Sequence, residues 1–262
     1  MPEAPEIFYL KELLKNNIIN LTFEKIVSNT KSRVDLPSKS KVIDCDCKGK
    51  LLWIKTEKYY VHLHMMISGW IVFEKPKICK YEFVFNNLTL YMDDTRRFSK
   101  VKIIKTEKEH QKEINSLGLS FLKNEISKEK FIDIIQNSNK SISSLLLNQK
   151  IFCGIGNYIR NEVLYMVKIY PAEKSNKIDK KDIEKLYDKI RYVMFSNLYE
   201  ILQNNKLKIP NYIKKIAPSK LQIPYKFRVY DKNKDMYGNP ITRKKIDGRW
   251  AYFVEKIQVK KK

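Results

Sequence analysis

The first periodic stretch of the chain is helical. Ile7, Leu10, Leu13, Leu14 and Ile18 recur at three- and four-residue spacing, which predicts a helix over 7–18 behind a short tail. From about Leu21 to Glu107 the period shortens. Val, Ile, Tyr and Phe gather in runs at 41–45, 51–54, 59–63, 70–73, 81–85, 88–92 and 101–104, with turn residues such as Asn86-Asn87 between them. Runs of this length and composition predict an antiparallel sandwich or barrel. After Glu107 the pattern is helical again. Ser127 is placed to cap a helix carrying Phe131, Ile134 and Ile135, a second helical stretch covers 141–149, and Asn157 opens a third after Cys153-Gly154-Ile155-Gly156. From Asp179 a long amphipathic helix carries Ile183, Leu186, Tyr187, Ile190, Met194, Leu198, Ile201 and Leu202 on one face. Strand-like alternation returns from Phe227, with turns at Tyr237-Gly238-Asn239-Pro240 and Asp247-Gly248 and a strand at 251–254. The pattern reads as a β domain, a helical domain and a basic β-hairpin, without internal repeats.

Composition adds one strong statement. The 262 residues hold 52 Lys+Arg against 29 Asp+Glu, a formal net charge of +23, and residues 205–262 alone carry 17 basic and 4 acidic side chains. Such a balance favours a polyanionic partner, nucleic acid ahead of anionic membrane. Its plainer reading is a lysine-rich solvated surface, since only 8 of the basic residues are arginine. A hydrophobic fraction of 43% supports folded cores rather than disorder. No run of about 18 apolar residues is present to span a membrane. The start Met1-Pro2-Glu3-Ala4-Pro5-Glu6 is acidic where a signal peptide is basic, so an intracellular, soluble protein is expected. Cys45, Cys47, Cys79 and Cys153 have no C-x-x-C spacing and the chain has three His, so neither a disulfide framework nor a metal site is expected.

Four stretches could carry chemistry. Removal of Met1 ahead of a small residue leaves Pro2 with a secondary amine, a nucleophile that forms a charged iminium with a carbonyl. An α-amino group titrates near ~7.7–8.0, well below lysine, and Glu3 beside it could move protons. The second stretch is Gly154-Ile155-Gly156-Asn157, where two glycines and a helix start suit a phosphate and equally suit a plain helix connection. The third is Asp94-Thr95-Arg96-Arg97-Phe98, whose guanidinium groups and ring suit insertion into a duplex, or a solvated loop. The fourth is the hairpin Lys244-Lys245-Ile246-Asp247-Gly248-Arg249, whose tip could lie in a groove.

Taken together these stretches resemble the formamidopyrimidine-DNA glycosylase / endonuclease VIII (Fpg/Nei) family. Pro2-Glu3-Ala4-Pro5-Glu6 is similar to its P-E-x-P-E start, and His64-Met65-Met66-Ile67-Ser68-Gly69 looks like a variant of its H-x-M-x-G loop. Asp94-Thr95-Arg96-Arg97-Phe98 matches D-x-R-R-F, and Leu117-Gly118-Leu119 matches the L-G-P entering the helical domain. Leu146-Leu147-Asn148-Gln149 with Gly154-Ile155-Gly156-Asn157 and Glu162 resembles L-L-D-Q…G-I-G-N…D-E, and the tail from Gly238 has the frame of the family's zinc finger. The resemblance runs the length of the chain in order.

It implies an α+β fold of two domains: an N-terminal antiparallel β-sandwich over 1–115, and a helix–two-turns–helix domain over 116–226 followed by a zincless β-hairpin finger over 227–262. It also implies a bifunctional DNA glycosylase and AP lyase of base-excision repair. Pro2 would attack C1′, Glu3 would protonate the sugar ring oxygen, and Glu6 would sit close by. Lys50 would bind the phosphate beside the lesion, with Asn157 and Arg249 on the phosphates around the flipped nucleotide. Met66, Arg96 and Phe98 would fill the hole the base leaves. The expected partner is double-stranded DNA with oxidised bases or abasic sites, bound by a monomer without cofactor, metal or membrane. A catalytically inactive damage-binding protein on the same fold is the alternative.

The departures from the family pattern are specific. The four zinc-ligand positions hold Lys234, Tyr237, Val254 and Ile257, so the finger is expected to be held by packing of Tyr237, Trp250 and Phe253. Ser143 stands where many members carry lysine, and Ser99 replaces a glycine. The stretch 209–226 has no glycine, which leans the expected substrate towards oxidised pyrimidines rather than 8-oxoguanine.

Overall fold

The opening helix forms because sequence and capping agree. α1 (Ala4–Ile18) buries Ile7, Leu10, Leu14 and Ile18 along one face, and Pro5 sits in its first turn, where a missing N–H costs nothing. A computed structural model describes residues 2–31 and 34–259 of the chain. The chain divides into two compact units, Met1–Ser116 and Leu117–Lys262.

In the first unit, eight antiparallel strands follow α1: β1 (Thr22–Ser28), β2 (Ser40–Lys48), β3 (Leu51–Thr56), β4 (Tyr60–His64), β5 (Trp70–Val72), β6 (Cys79–Phe85), β7 (Thr89–Asp93) and β8 (Lys100–Ile104). Their order is β5-β7-β6-β1-β2-β3-β4-β8. The β1–β2 pairing is short, Thr22 with Lys41 and Phe23 with Ser40, so the sandwich consists of two four-stranded halves joined through it. α1 packs on β2 and β3, and Phe23 stacks on Phe85 at 4.5 Å between ring centroids. β1 is missing from the sequence reading. A bulge between Phe23 and Lys25 puts its two buried residues, Phe23 and Ile26, three apart, so the alternation that marks a strand is lost.

The unit closes with α2 (Glu107–Asn115), capped by Thr106, whose hydroxyl accepts from the Glu109 N–H. His110 of α2 is buried, stacks on Tyr60 with ring centroids 3.9 Å apart, and shares a 2.9 Å hydrogen bond with buried His62. Burial, then the neighbouring His110 and His64, push His62 down to about 4. Unfolded histidine takes up its proton near ~6.5, so this neutral pair stabilises the fold above that pH and loses its contribution as pH falls from about 6.5 to 4. The expected loss is roughly 3 kcal/mol, read from urea unfolding midpoints across that range. A His62→Phe protein should lose clearly less, and equal losses in the two proteins would exclude the pair as the cause.

In the second unit, β9 (Leu119–Ser120) runs parallel to β10 (Phe152–Cys153). Gly118 is required there, since a Cβ would lie 2.3 Å from the Ile151 carbonyl carbon. The helices are α3 (Lys128–Gln136), α4 (Ile142–Leu147), α5 (Asn157–Val167), α6 (Lys180–Asn204) and α7 (Asn211–Ile216). Ser127 caps α3 through its hydroxyl, as its position predicts, and Ser141, expected inside the second helical stretch, caps α4 in the same way. Phe121, Phe131, Phe152 and Tyr187 form an aromatic core with centroid separations of 5.1–6.2 Å. The chain ends in the hairpin β11 (Thr242–Ile246) and β12 (Arg249–Phe253), whose turn residues Asp247 and Gly248 both have positive φ, +47° and +76°, the geometry of a type I′ turn. The alternation expected from Phe227 does not become a strand before β11; 227–241 is turns and one isolated bridge, Lys234 with Pro240. Among the described residues, no helix is long and apolar enough to cross a membrane.

Candidate functional site

The residues singled out from the sequence fall into two groups, one in each unit. In the first, Pro2 is buried directly ahead of α1 and Glu3 is its N-cap. The Glu3 N–H donates to Glu6 Oε2 at 2.8 Å, and the Glu3 side chain accepts from the Glu6 N–H. This reciprocal capping box fixes the Glu3 backbone and holds Glu6 beside it. Met1, whose removal the chemistry expected of Pro2 would require, lies outside the described residues. Lys50 occupies the two-residue turn between β2 and β3, where Gly49 supplies the left-handed φ of +57°. Met66 stands at the tip of the loop between β4 and β5 and is 44% exposed; Phe98 is 51% exposed and Arg96 is exposed beside it. The two loops meet through Ser68, whose hydroxyl donates to Asp94 and accepts from the Arg96 N–H at 3.3 Å.

In the second unit, Asn157 opens α5 and Arg249 stands at the hairpin turn. The residue that joins them is Arg160. Its guanidinium is fully buried and donates to Asn157 Oδ1, to Ser143 Oγ and, at 2.7 Å, to the Trp250 carbonyl. Guanidinium has only donors, so the oxygen of the Asn157 amide, not its NH2 group, faces it. One position on, Asn161 Oδ1 accepts from the Tyr252 N–H at 3.0 Å, so one face of α5 holds the hairpin. Ser143 is therefore a buried acceptor for Arg160. A cleft of about 270 Å³ lined by Ser143, Ser144, Asn148, Asp247 and Arg249 opens beside the hairpin tip, and Asp247 is tied to the cap of α4 by the Ser141 hydroxyl. Gln149 braces the glycine turn from below, accepting from the Gly154 N–H at 2.9 Å and donating to the Ile155 carbonyl at 2.8 Å.

Glu162 is fully buried and accepts from Tyr225 OH and from the N–H groups of Arg228, Val229 and Tyr230, at 2.8–2.9 Å. It gathers the approach to the finger into an anion nest. The finger is organised differently from the expectation. Tyr237 is 73% exposed and Trp250 is 42% exposed, with Arg243 stacked 4.5 Å over the Trp250 ring; of the three expected aromatics only Phe253 is buried. The hold comes instead from Val254 packed with Tyr165, Val229 and Ile257, and from Asp235, which accepts from Tyr165 OH at 2.9 Å and from the Asn239 N–H at 2.8 Å. Among the described residues, no group of three or more His, Cys, Asp or Glu could hold a metal ion. All four cysteines are free and buried.

Sequence reasoning missed Arg160 and Asn161. Their signal is spacing: with Asn157 they lie at i, i+3 and i+4, three polar residues on one face of a helix whose residues are almost all buried.

Comparison with known proteins agrees with this geometry. Residues 1–101 match the formamidopyrimidine-DNA glycosylase N-terminal domain, and residues 117–203 match the formamidopyrimidine-DNA glycosylase H2TH domain. The formamidopyrimidine-DNA glycosylase of Lactobacillus acidophilus is 31% identical over 207 residues, covering 72% of this chain and 75% of the relative. That of Lactobacillus helveticus is 29% identical over 211 residues, covering 74% and 76%. The chain belongs to the formamidopyrimidine-DNA glycosylase (Fpg/Nei) family. The fold is also that of the MutM (Fpg) protein of Thermus thermophilus, with a TM-score of 0.81 at 20% identity over the whole of both chains. A Lactococcus lactis formamidopyrimidine-DNA glycosylase crystallised with DNA containing an abasic site is equally similar, with a TM-score of 0.81 at 20% identity, covering 98% of this chain and 100% of that one.

Proposed function

We propose that the chain is a bifunctional DNA glycosylase of base-excision repair that acts through Pro2 on double-stranded DNA carrying oxidised bases. The observation that carries this reading is the buried Pro2-Glu3 pair at the capped start of α1. In the proposed reaction the unprotonated Pro2 nitrogen attacks C1′ while Glu3 protonates the ring oxygen. The glycosidic bond breaks, the base leaves with the proton that the Pro2 nitrogen gives up, and the sugar opens as an iminium on Pro2. The iminium accepts the electron pair when a C2′ proton is removed, so the 3′ phosphate leaves by β-elimination; removal of the C4′ proton from the resulting conjugated iminium then expels the 5′ phosphate by δ-elimination. Lys50, Asn157 and Arg249 bind the flanking phosphates, and Met66, Arg96 and Phe98 occupy the space of the flipped nucleotide, offsetting a few kcal/mol of lost stacking.

The favoured substrates are oxidised pyrimidines such as thymine glycol and 5-hydroxyuracil. The stretch 209–226, which has no glycine, supports this. It contains α7 and is held to α6 by Arg191 on the Ile216 carbonyl, Ser196 Oγ on the Gln222 N–H at 3.2 Å and Glu200 on the Tyr225 N–H at 2.8 Å. A segment so fastened is unsuited to closing over a purine.

Borohydride trapping on duplex DNA with an abasic site tests the chemistry. The expected product is a covalent adduct on the Pro2 peptide, lost when an extra residue precedes Pro2. No adduct, from protein that begins at Pro2 and binds the DNA, would leave a damage-binding protein. A lesion panel tests the substrate, and 8-oxoguanine opposite cytosine cut fastest would overturn the pyrimidine preference.

A further inference from the structure

The two loops that expose Met66 and Phe98 are each unfavourable alone. Met66 and Arg97 both have φ of +55°, a region that side chains with a Cβ avoid, and two large apolar side chains face water. Such a conformation persists only where its surroundings dictate it. The surroundings are a buried polar cluster beneath both loops. Asp94 is fully buried; its Oδ1 accepts from Ser68 Oγ on the first loop and its Oδ2 from the Ser99 N–H, at 2.7 Å, on the second. Lys80 of β6 is also buried and donates to the carbonyl oxygens of Ser99 and, at 2.6 Å, of Arg97. Burial alone would raise the Asp94 carboxyl, but hydrogen bonds from Ser68 and Ser99 and the Lys80 charge hold it below its usual range. The loop roots are neighbours in the sheet, since Trp70, next after Gly69, pairs with Asp93. They also abut: a Cβ on Gly69 would lie 2.6 Å from the Met65 carbonyl oxygen and 3.1 Å from Ser99 Cβ.

We propose that Lys80 and Asp94 are positioning residues that fasten the two loops into one rigid wedge, so that Met66, Arg96 and Phe98 enter a duplex together. The proposal rests on the reading of those three side chains as fillers of the vacated space. A pre-ordered wedge loses little freedom on insertion, whereas separate flexible loops would have to be ordered by the DNA itself. The lock is therefore needed where stacked bases must be parted. It is irrelevant to sequence-independent attraction between the basic surface and single-stranded DNA.

Three variants test it: Lys80→Met, Asp94→Asn and the milder Ser68→Ala, with Phe98→Ala as reference. Lesion removal from duplex DNA is measured together with the fluorescence rise of 2-aminopurine placed beside an abasic site. Binding to an undamaged single-stranded oligonucleotide and the melting temperature report on the fold. In Lys80→Met and Asp94→Asn, kcat/KM on the duplex should fall about 10- to 100-fold, with a slower fluorescence rise and single-strand binding within about twofold of the parent. Ser68→Ala should fall less, and Lys80→Arg, which can still donate to both carbonyls, should recover most of the loss. If either buried-charge variant fails to fold, Ser68→Ala and Lys80→Arg decide. Folded lock variants that part the duplex as fast as the parent, while Phe98→Ala does not, would overturn the proposal and leave the filler reading standing. If Phe98→Ala also matches the parent, the filler reading fails and the proposal falls with it.

Discussion

Replacing Glu3 by glutamine should all but abolish removal of an oxidised base from protein that still folds. On the proposed reading Glu3 has two separable roles. As N-cap it accepts from the Glu6 N–H, and its own N–H donates to Glu6 Oε2 at 2.8 Å. A glutamine side-chain oxygen accepts equally well, so the capping box and α1 survive Glu3→Gln. What is lost is the proton the carboxyl would deliver as the glycosidic bond breaks. General acid–base catalysis of this kind contributes about 10²–10⁴-fold, and the single-turnover rate of base removal should fall by that factor with the melting temperature nearly unchanged. Trapping at a ready-made abasic site should fall less, because no base has to depart. Parental rates of base removal by Glu3→Gln would take Glu3 out of the chemistry.

The second large effect is on stability and comes from Glu162. Glu162→Gln should destabilise the second unit by about 3–5 kcal/mol, because the buried carboxylate receives four donors at once. A glutamine offers one acceptor oxygen and turns an NH2 group towards N–H groups that have nowhere else to go. For a domain of this size the melting temperature should drop by roughly 10 °C. The three backbone donors belong to 228–230, on the approach to the hairpin with Arg249. Affinity for abasic DNA should therefore weaken in Glu162→Gln at temperatures where the protein is still folded. A shift under about 2 °C in a circular dichroism melt would mean that the nest does not hold the segment.

Much of the fold was legible in the sequence because its elements bury one face. α1, the strand runs between 41 and 104, the serine cap of α3 and the Asp247-Gly248 turn were all read from local pattern. β1 was not, because its bulge breaks the alternation. The segment 227–241 alternates in polarity without pairing as a strand; it is held by the side chains of Glu162 and Asp235, which a pattern of polarity does not register. The candidate site divides the same way. Pro2, Glu3, Lys50, Arg96, Phe98, Asn157 and Arg249 stand in stretches whose spacing is informative. Lys80 and Arg160, by contrast, look like any other cation in a chain with 52 lysines and arginines.

The order of the elements, the basic character and the candidate residues for the chemistry all follow from side-chain type and local period, and so could be read along the chain. Which charges are buried and what they join is visible in the folded chain alone: Lys80 and Asp94 beneath two loops 25 residues or more apart, Arg160 between α4, α5 and β12, Glu162 against 225–230. A charge can leave water only where several partners from distant segments converge on it. That convergence is a property of the folded chain, which one-dimensional spacing does not contain.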